Sequence, residues 1–153
     1  MSTLYMDESL ILQDIQVDTK EEVLQLMAST MQEQGVVKES YIQAVIDREH
    51  HYATGLPTQG LSVAIPHTDK EHVNRKSLSV GVLTEPVDFV IMGEDEQSTP
   101  VKLVFMLAMD ESHAQLSLLQ KLMGVFQDKE LLAYLASERD KTKIIAALRD
   151  VLD

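Results

Sequence analysis

Apolar positions change their spacing twice along the chain. Leu10 to Val17 carries enough branched apolar residues for a short strand. Thr19-Lys20-Glu21-Glu22 then has the pattern of a capping box, with Thr19 as N-cap and Glu22 reaching back. Val23, Leu24, Met27, Ala28 and Met31 follow at helical spacing, and Gly35 supplies the stop. A second helix is expected from about Glu39 to Glu49, with Tyr41, Ile42, Val45 and Ile46 inward. From His51 to Gly60 the period disappears, and Gly55, Pro57 and Gly60 read as a loop.

Strand character follows in Leu61 to Ile65, Ser77 to Leu83 and Val101 to Met109, with a further short strand at Val87 to Ile91 and a turn at Met92-Gly93. The run from Val101 is almost unbroken in apolar residues, as in a strand covered on both faces. Beyond residue 110 three helical stripes appear. Leu116, Leu119, Leu122, Met123 and Phe126 form one, Leu131, Leu132, Leu135 and Ala136 the next, and Ile144, Ile145, Leu148, Val151 and Leu152 the last. The expected fold is a single layered α/β domain over residues 1–153, a central mixed β-sheet flanked by helices.

Composition narrows the function. A chain of 153 residues, 44% hydrophobic and 25% charged, is ordinary for one globular domain. It has no cysteine, which removes disulfides, thiolate catalysis and thiolate-bound metal. No apolar run reaches the roughly 18 residues of a membrane span, and Met1 to Glu8 lacks the basic and apolar regions of a secretory signal. A cytoplasmic location without membrane insertion is expected. The formal net charge of −12 argues against nucleic acid as a partner. Any phosphate chemistry must draw its positive field from a local arginine or a helix N-terminus.

The most informative stretch is Gly60-Leu-Ser-Val-Ala-Ile-Pro-His-Thr-Asp69. Pro66 has no N–H to continue a central ladder, and it holds Ile65 extended. The chain must leave the sheet there and present His67 just past the strand end, where open α/β sheets bind ligands. A neutral imidazole offers one lone pair for nucleophilic work and one N–H for an acceptor that orients it. The residues by themselves leave two other readings open: a loop histidine satisfied by a neighbour, or a metal ligand with Asp69 and His72. The latter spacing matches no recognised zinc signature. Gly55-Leu-Pro-Thr-Gln-Gly60 imitates a Walker A loop, but Leu61 stands where the lysine belongs and a strand follows.

Arg48 opens the loop leading to His67, either as a phosphate fork or as a surface ion-pair member. Ser112-His113-Ala114-Gln115 opens the helix after the buried strand. Ser112 and Gln115 form a capping box, at a helix end that also favours an anion.

Ala64-Ile65-Pro66-His67, the Arg48-Glu49 helix end, the Thr54-Gly55 loop and the Leu118-Leu119-Gln-Lys-Leu122 helix together resemble the IIA component of the bacterial phosphoenolpyruvate:sugar phosphotransferase system, in its fructose/mannitol class. The resemblance spans essentially the whole chain. It implies that His67 accepts a phosphoryl group from an HPr-like phosphocarrier and passes it to a IIB component, with no cofactor and no metal. Arg48 matches the family's active-site arginine. The class usually has a second active-site histidine where this chain has Gln115, with His113 two residues earlier. That glutamine, with the Ala53-Thr54-Gly55 loop and His72 five places after His67, resembles the galactitol-type branch, and Thr54, His72 and His113 are candidates for orienting the imidazole or the phosphate. The alternatives are a regulatory module of the same fold and a metal-dependent hydrolase built on His67, Asp69 and His72.

Overall fold

The computed structural model describes residues 4–110 and 112–152, except for the side chains of residues 95 and 112–115. A short 3-10 turn, Glu8–Leu10, leads into β1, Ile11–Ile15, the core of the expected first strand. The capping box then starts α1, Lys20–Glu33. Thr19 Oγ1 accepts from the Glu22 N–H at 3.2 Å, and the two side chains bond at 3.0 Å. Helix α1 ends where Gly35 takes a φ of +77°. Its N–H donates to the Gln32 carbonyl and the next N–H, of Val36, to that of Met31. This paired closure uses a left-handed residue, for which glycine has no steric penalty.

Helix α2 runs over Ser40–His51 and is followed by β2, Gly55–Leu56, inside the segment expected to be loop. Next come β3, Ser62–Ala64, and a 3-10 turn, Lys70–His72. Strands β4, Ser77–Ile91, and β5, Glu94–Ala108, form a long hairpin about Met92-Gly93. Helices α3, Ser112–Phe126, α4, Lys129–Ser137, and α5, Lys141–Leu152, complete the chain.

The sheet is mixed. β1 and β4 are parallel, β4 and β5 antiparallel, β5 and β3 parallel, and β3 and β2 antiparallel. Gly55 of β2 also bridges Ile91 at the end of β4, so four strands close a ring of pairings. That approach is tight. A Cβ on Gly55 would lie 2.6 Å from the Val90 carbonyl oxygen.

The expected continuous burial of β5 has a simple geometry. Leu103, Phe105, Leu107 and Met109 point into the cluster shared with α3, α4 and α5. Val104, Met106 and Ala108 point into the opposite cluster, with Val23, Leu24, Met27 and Met31 of α1 and Tyr41 and Val45 of α2. Strand alternation thus builds two cores, one on each face. Tyr41, fully buried, crosses from α2 to donate its hydroxyl to the Leu107 carbonyl at 2.5 Å.

One expected stripe is displaced. Leu118, Leu122, Val125 and Phe126 face the core, whereas Leu116 is 63% exposed. Leu119 and Met123 sit at the edge of that stripe, where they line a pocket.

Candidate functional site

Strand β3 ends at Ala64, and the chain is pinned as it leaves the sheet. The Ile65 N–H donates to Thr54 Oγ1 at 3.2 Å, and the Leu107 N–H of β5 donates to the Pro66 carbonyl at 3.0 Å. Between these two anchors the Ile65 carbonyl turns to the imidazole of His67, with Nδ1 at 2.7 Å. A carbonyl can only accept, so Nδ1 carries the proton and Nε2 is left with its lone pair. Burial holds the imidazole below its ordinary value near 6.5. The bond to Ile65 opposes that shift, the Arg48 charge adds to it and Asp69 counters it. The ring is therefore mainly neutral at neutral pH.

His67 lines an open pocket of about 300 Å³ with Arg48, Tyr52, Ala53, Thr54, Ile65, Met92, Leu119 and Met123. Arg48 comes from the last turn of α2. Its Nη1 lies 3.8 Å from Asp69 Oδ1, and its guanidinium carbon is 5.1 Å from the centre of the Tyr52 ring. Arg48 Nε is buried and has no hydrogen-bond partner among the described residues. The pocket thus combines a neutral nitrogen nucleophile, a guanidinium with an unused donor, and apolar walls.

Residues 4–151 match the family described as phosphoenolpyruvate-dependent sugar phosphotransferase system, EIIA 2. The chain belongs to this family. It is 30% identical over 112 residues to the galactitol-specific EIIA component of Escherichia coli strain K12, covering 73% of this chain and 74% of that protein. It is 28% identical over 138 residues to the mannitol-specific phosphotransferase enzyme IIA component of Bacillus subtilis strain 168, covering 88% and 90%. A solved complex of enzyme IIAMTL with phosphorylated enzyme IIBMTL from Escherichia coli shares the fold, with a TM-score of 0.74, 22% identity and coverage of 95% and 99%. By family, this IIA protein is a phosphotransferase component.

Of the residues singled out in the sequence, Arg48, Thr54 and His67 meet in this IIA pocket. Thr54 is 4% exposed, and its hydroxyl is engaged with protein groups. His72 is not brought to the pocket. It belongs to the 3-10 turn, where Nδ1 lies 2.8 Å from Ser40 Oγ. Asp69 faces Arg48, and among the described residues no three of His, Asp and Glu gather as a metal-binding set. Gln115 and His113 lie in the first turn of α3, and their side chains fall outside the described residues. No described helix is long and apolar enough to cross a membrane.

Sequence reasoning missed Glu49. It is 3% exposed, and its carboxylate accepts from the Thr54 N–H at 2.8 Å and from the Thr54 hydroxyl at 2.7 Å. Burial pushes this carboxyl up to about 7, against the pull of those bonds and of the nearby Lys20 and His50 charges. A charged residue in the last turn of a helix reads as solvated surface. The available signal was a threonine five residues on, at the start of the loop.

Proposed function

We propose that this IIA protein accepts a phosphoryl group on His67 Nε2 from an HPr-like phosphocarrier and delivers it to a IIB component for hexitol uptake. The supporting observation is the bond from His67 Nδ1 to the Ile65 carbonyl, which commits the ring to one tautomer and turns Nε2 into the nucleophile. In the forward step the Nε2 lone pair forms a new N–P bond as the donor's P–N bond breaks. The electron pair of that bond stays on the donor nitrogen. The Nδ1 proton remains on His67, and the carbonyl stabilises the positive charge the ring gains.

A loose phosphoryl transition state needs positioning and charge neutralisation more than covalent help. Arg48 supplies both from a planar fork, whose Nη1 is held only by a long 3.8 Å pair with Asp69. The N-terminus of α3, with Gln115 and His113, is the second element assigned to the phosphoryl oxygens. In delivery to IIB the same atoms act in reverse, with His67 as leaving group. Both partners must then reach one nitrogen and use one face. Tyr52 and Met92, exposed at 66% and 39% on the pocket rim, give that face an apolar character. Such transient contacts are small. The reaction belongs in the cytoplasm, where the relay's phosphoenolpyruvate is available.

The sugar is assigned as a hexitol because galactitol and mannitol relatives match at 30% and 28% identity. The test is a reconstituted relay with phosphoenolpyruvate, the general carriers and IIB proteins of either specificity. Wild type should acquire one acid-labile, base-stable phosphate and pass it to one of the IIB proteins, whereas His67→Ala should acquire none. Phosphorylation of a folded His67→Ala variant would refute the assignment. Phosphate retained on His67 with either IIB present would instead favour a regulatory module of this fold.

A further inference from the structure

Glu49 does not itself line the pocket, yet it is a buried acid two hydrogen bonds from the strand exit that carries His67. The Thr54 hydroxyl has one proton, and the Glu49 carboxylate takes it at 2.7 Å. Its oxygen lone pair is thereby directed elsewhere, and the Ile65 N–H uses it at 3.2 Å. The second carboxylate oxygen takes the Thr54 N–H at 2.8 Å, which fixes the threonine backbone as well. Ile65 is then held at its N–H by Thr54, and its own carbonyl meets His67 Nδ1 at 2.7 Å. A hydroxyl bound to a carboxylate is a stronger acceptor than a free one, so each bond in the series supports the next.

We propose that Glu49 is a positioning residue for the phospho-accepting histidine: through Thr54 it fixes the Ile65 backbone whose carbonyl holds His67 Nδ1, and so keeps Nε2 aimed into the pocket. This rests on the reading of His67 as phospho-acceptor, and it adds a residue outside the pocket to that machinery. The carboxylate form is required. A neutral acid or an amide at position 49 would aim a proton of its own at one of Thr54's two donors. One of the two bonds that fix Thr54 would then be lost, and the oxygen that accepts from the Ile65 N–H would no longer be held in place.

The charged groups around Glu49 are few. Lys20 comes from α1 and His50 from its own helix, and Glu21 of α1 pairs with both, at 3.4 Å and 2.8 Å. These pairs lie at the surface, whereas the carboxylate-to-Thr54 bonds are buried. Burial also raises this carboxyl towards neutrality, so the required form is lost as the solution is acidified through about pH 7.

A structural pin for the loop and a positioning group for the nucleophile predict different results in 15N-labelled full-length protein. Long-range proton–nitrogen correlation reports which nitrogen of His67 carries the proton. At pH 8 wild type should show the Nδ1–H tautomer, and Thr54→Ser should keep it. Glu49→Gln and Thr54→Val should populate the other tautomer and slow single-turnover phosphoryl acceptance by tenfold or more, the scale of a small misplacement of a reacting group. Thr54→Ser should remain within about twofold of wild type, since its hydroxyl repeats both bonds.

Wild-type tautomer and wild-type rate in folded Thr54→Val and Glu49→Gln would overturn the proposal. Should Glu49→Gln fail to fold, Thr54→Val decides by itself, because its isosteric side chain removes only the hydroxyl link. A wild-type protein that takes no phosphate on His67 would refute the phosphocarrier reading, while the tautomer measurement would still judge the positioning role.

Discussion

Arg48 Nη1 stands 3.8 Å from Asp69 Oδ1 beside the pocket that holds His67. The distance is long for a salt bridge and both side chains are partly exposed, so the pair contributes little to stability. An incoming phosphoryl group, with more charge than one carboxylate, can compete for this arginine at low cost.

Arg48→Ala should therefore slow phosphoryl acceptance by about 100-fold, the usual scale for removing one donor to a developing oxyanion. Arg48→Lys should recover only part of that loss, because a point charge lacks the planar fork. Rapid-quench single-turnover assays measure both. An Arg48→Ala rate within twofold of wild type would reduce Arg48 to a surface ion-pair partner.

Stability should depend on pH through Glu49, with a sign opposite to that of most carboxylates. Its folded value of about 7 lies above the ordinary 4.5 because of burial, so between these values the folded chain binds more protons than the unfolded one. Stability then falls as pH rises through this window, by up to about 3 kcal/mol. His67 acts the other way below about 6.5, where burial keeps it neutral while the unfolded ring protonates. That opposing slope fades over about one unit above 6.5, so the Glu49 contribution is the difference between wild type and Glu49→Gln. From pH 6.5 to 8 the urea midpoint of wild type should fall relative to that of Glu49→Gln.

Tyr41→Phe should cost about 1–2 kcal/mol, since it strips a fully buried donor from the Leu107 carbonyl. The same Leu107 gives its N–H to the Pro66 carbonyl beside His67. A modest drop in transfer rate should accompany the shift in urea midpoint. Unchanged stability would mean that the carbonyl finds another partner.

Gly55→Ala should destabilise the fold by about 1–3 kcal/mol, the range for forcing a methyl group into a closed site. The new Cβ would meet the Val90 carbonyl oxygen at 2.6 Å and the Phe89 Cβ at 3.1 Å, so the hairpin end must move. Thermal unfolding measures the loss, and a melting temperature equal to wild type would show that the hairpin end yields without strain.

Much of this architecture can be read from local pattern. The capping box at Thr19, the glycine stop at Gly35 and the doubly covered β5 each rest on interactions within a few residues or on simple alternation. Pro66 likewise announces the strand exit before His67. What escaped depends on contacts distant in sequence. β2 is two residues in a Gly- and Pro-rich loop, and it becomes strand by pairing with Val63, Ala64 and Ile91. β4 continues through exposed Thr84, Glu85 and Pro86 because its hairpin partner carries it across a register shift between Val82 and Val87. Leu116 fits the helical period, but the angle at which α3 meets the sheet is set by the neighbouring layers. His72 shows the converse, since it lies five residues from His67 in sequence yet bonds Ser40 and does not line the pocket.

The group that orients His67 belongs to the main chain. No substitution at position 65 can delete that oxygen, whereas an aspartate or glutamate in the same office would be one codon change from loss. The side chain at position 65 can therefore change without removing that contact, so long as the peptide path from Thr54 to His67 keeps the carbonyl in place.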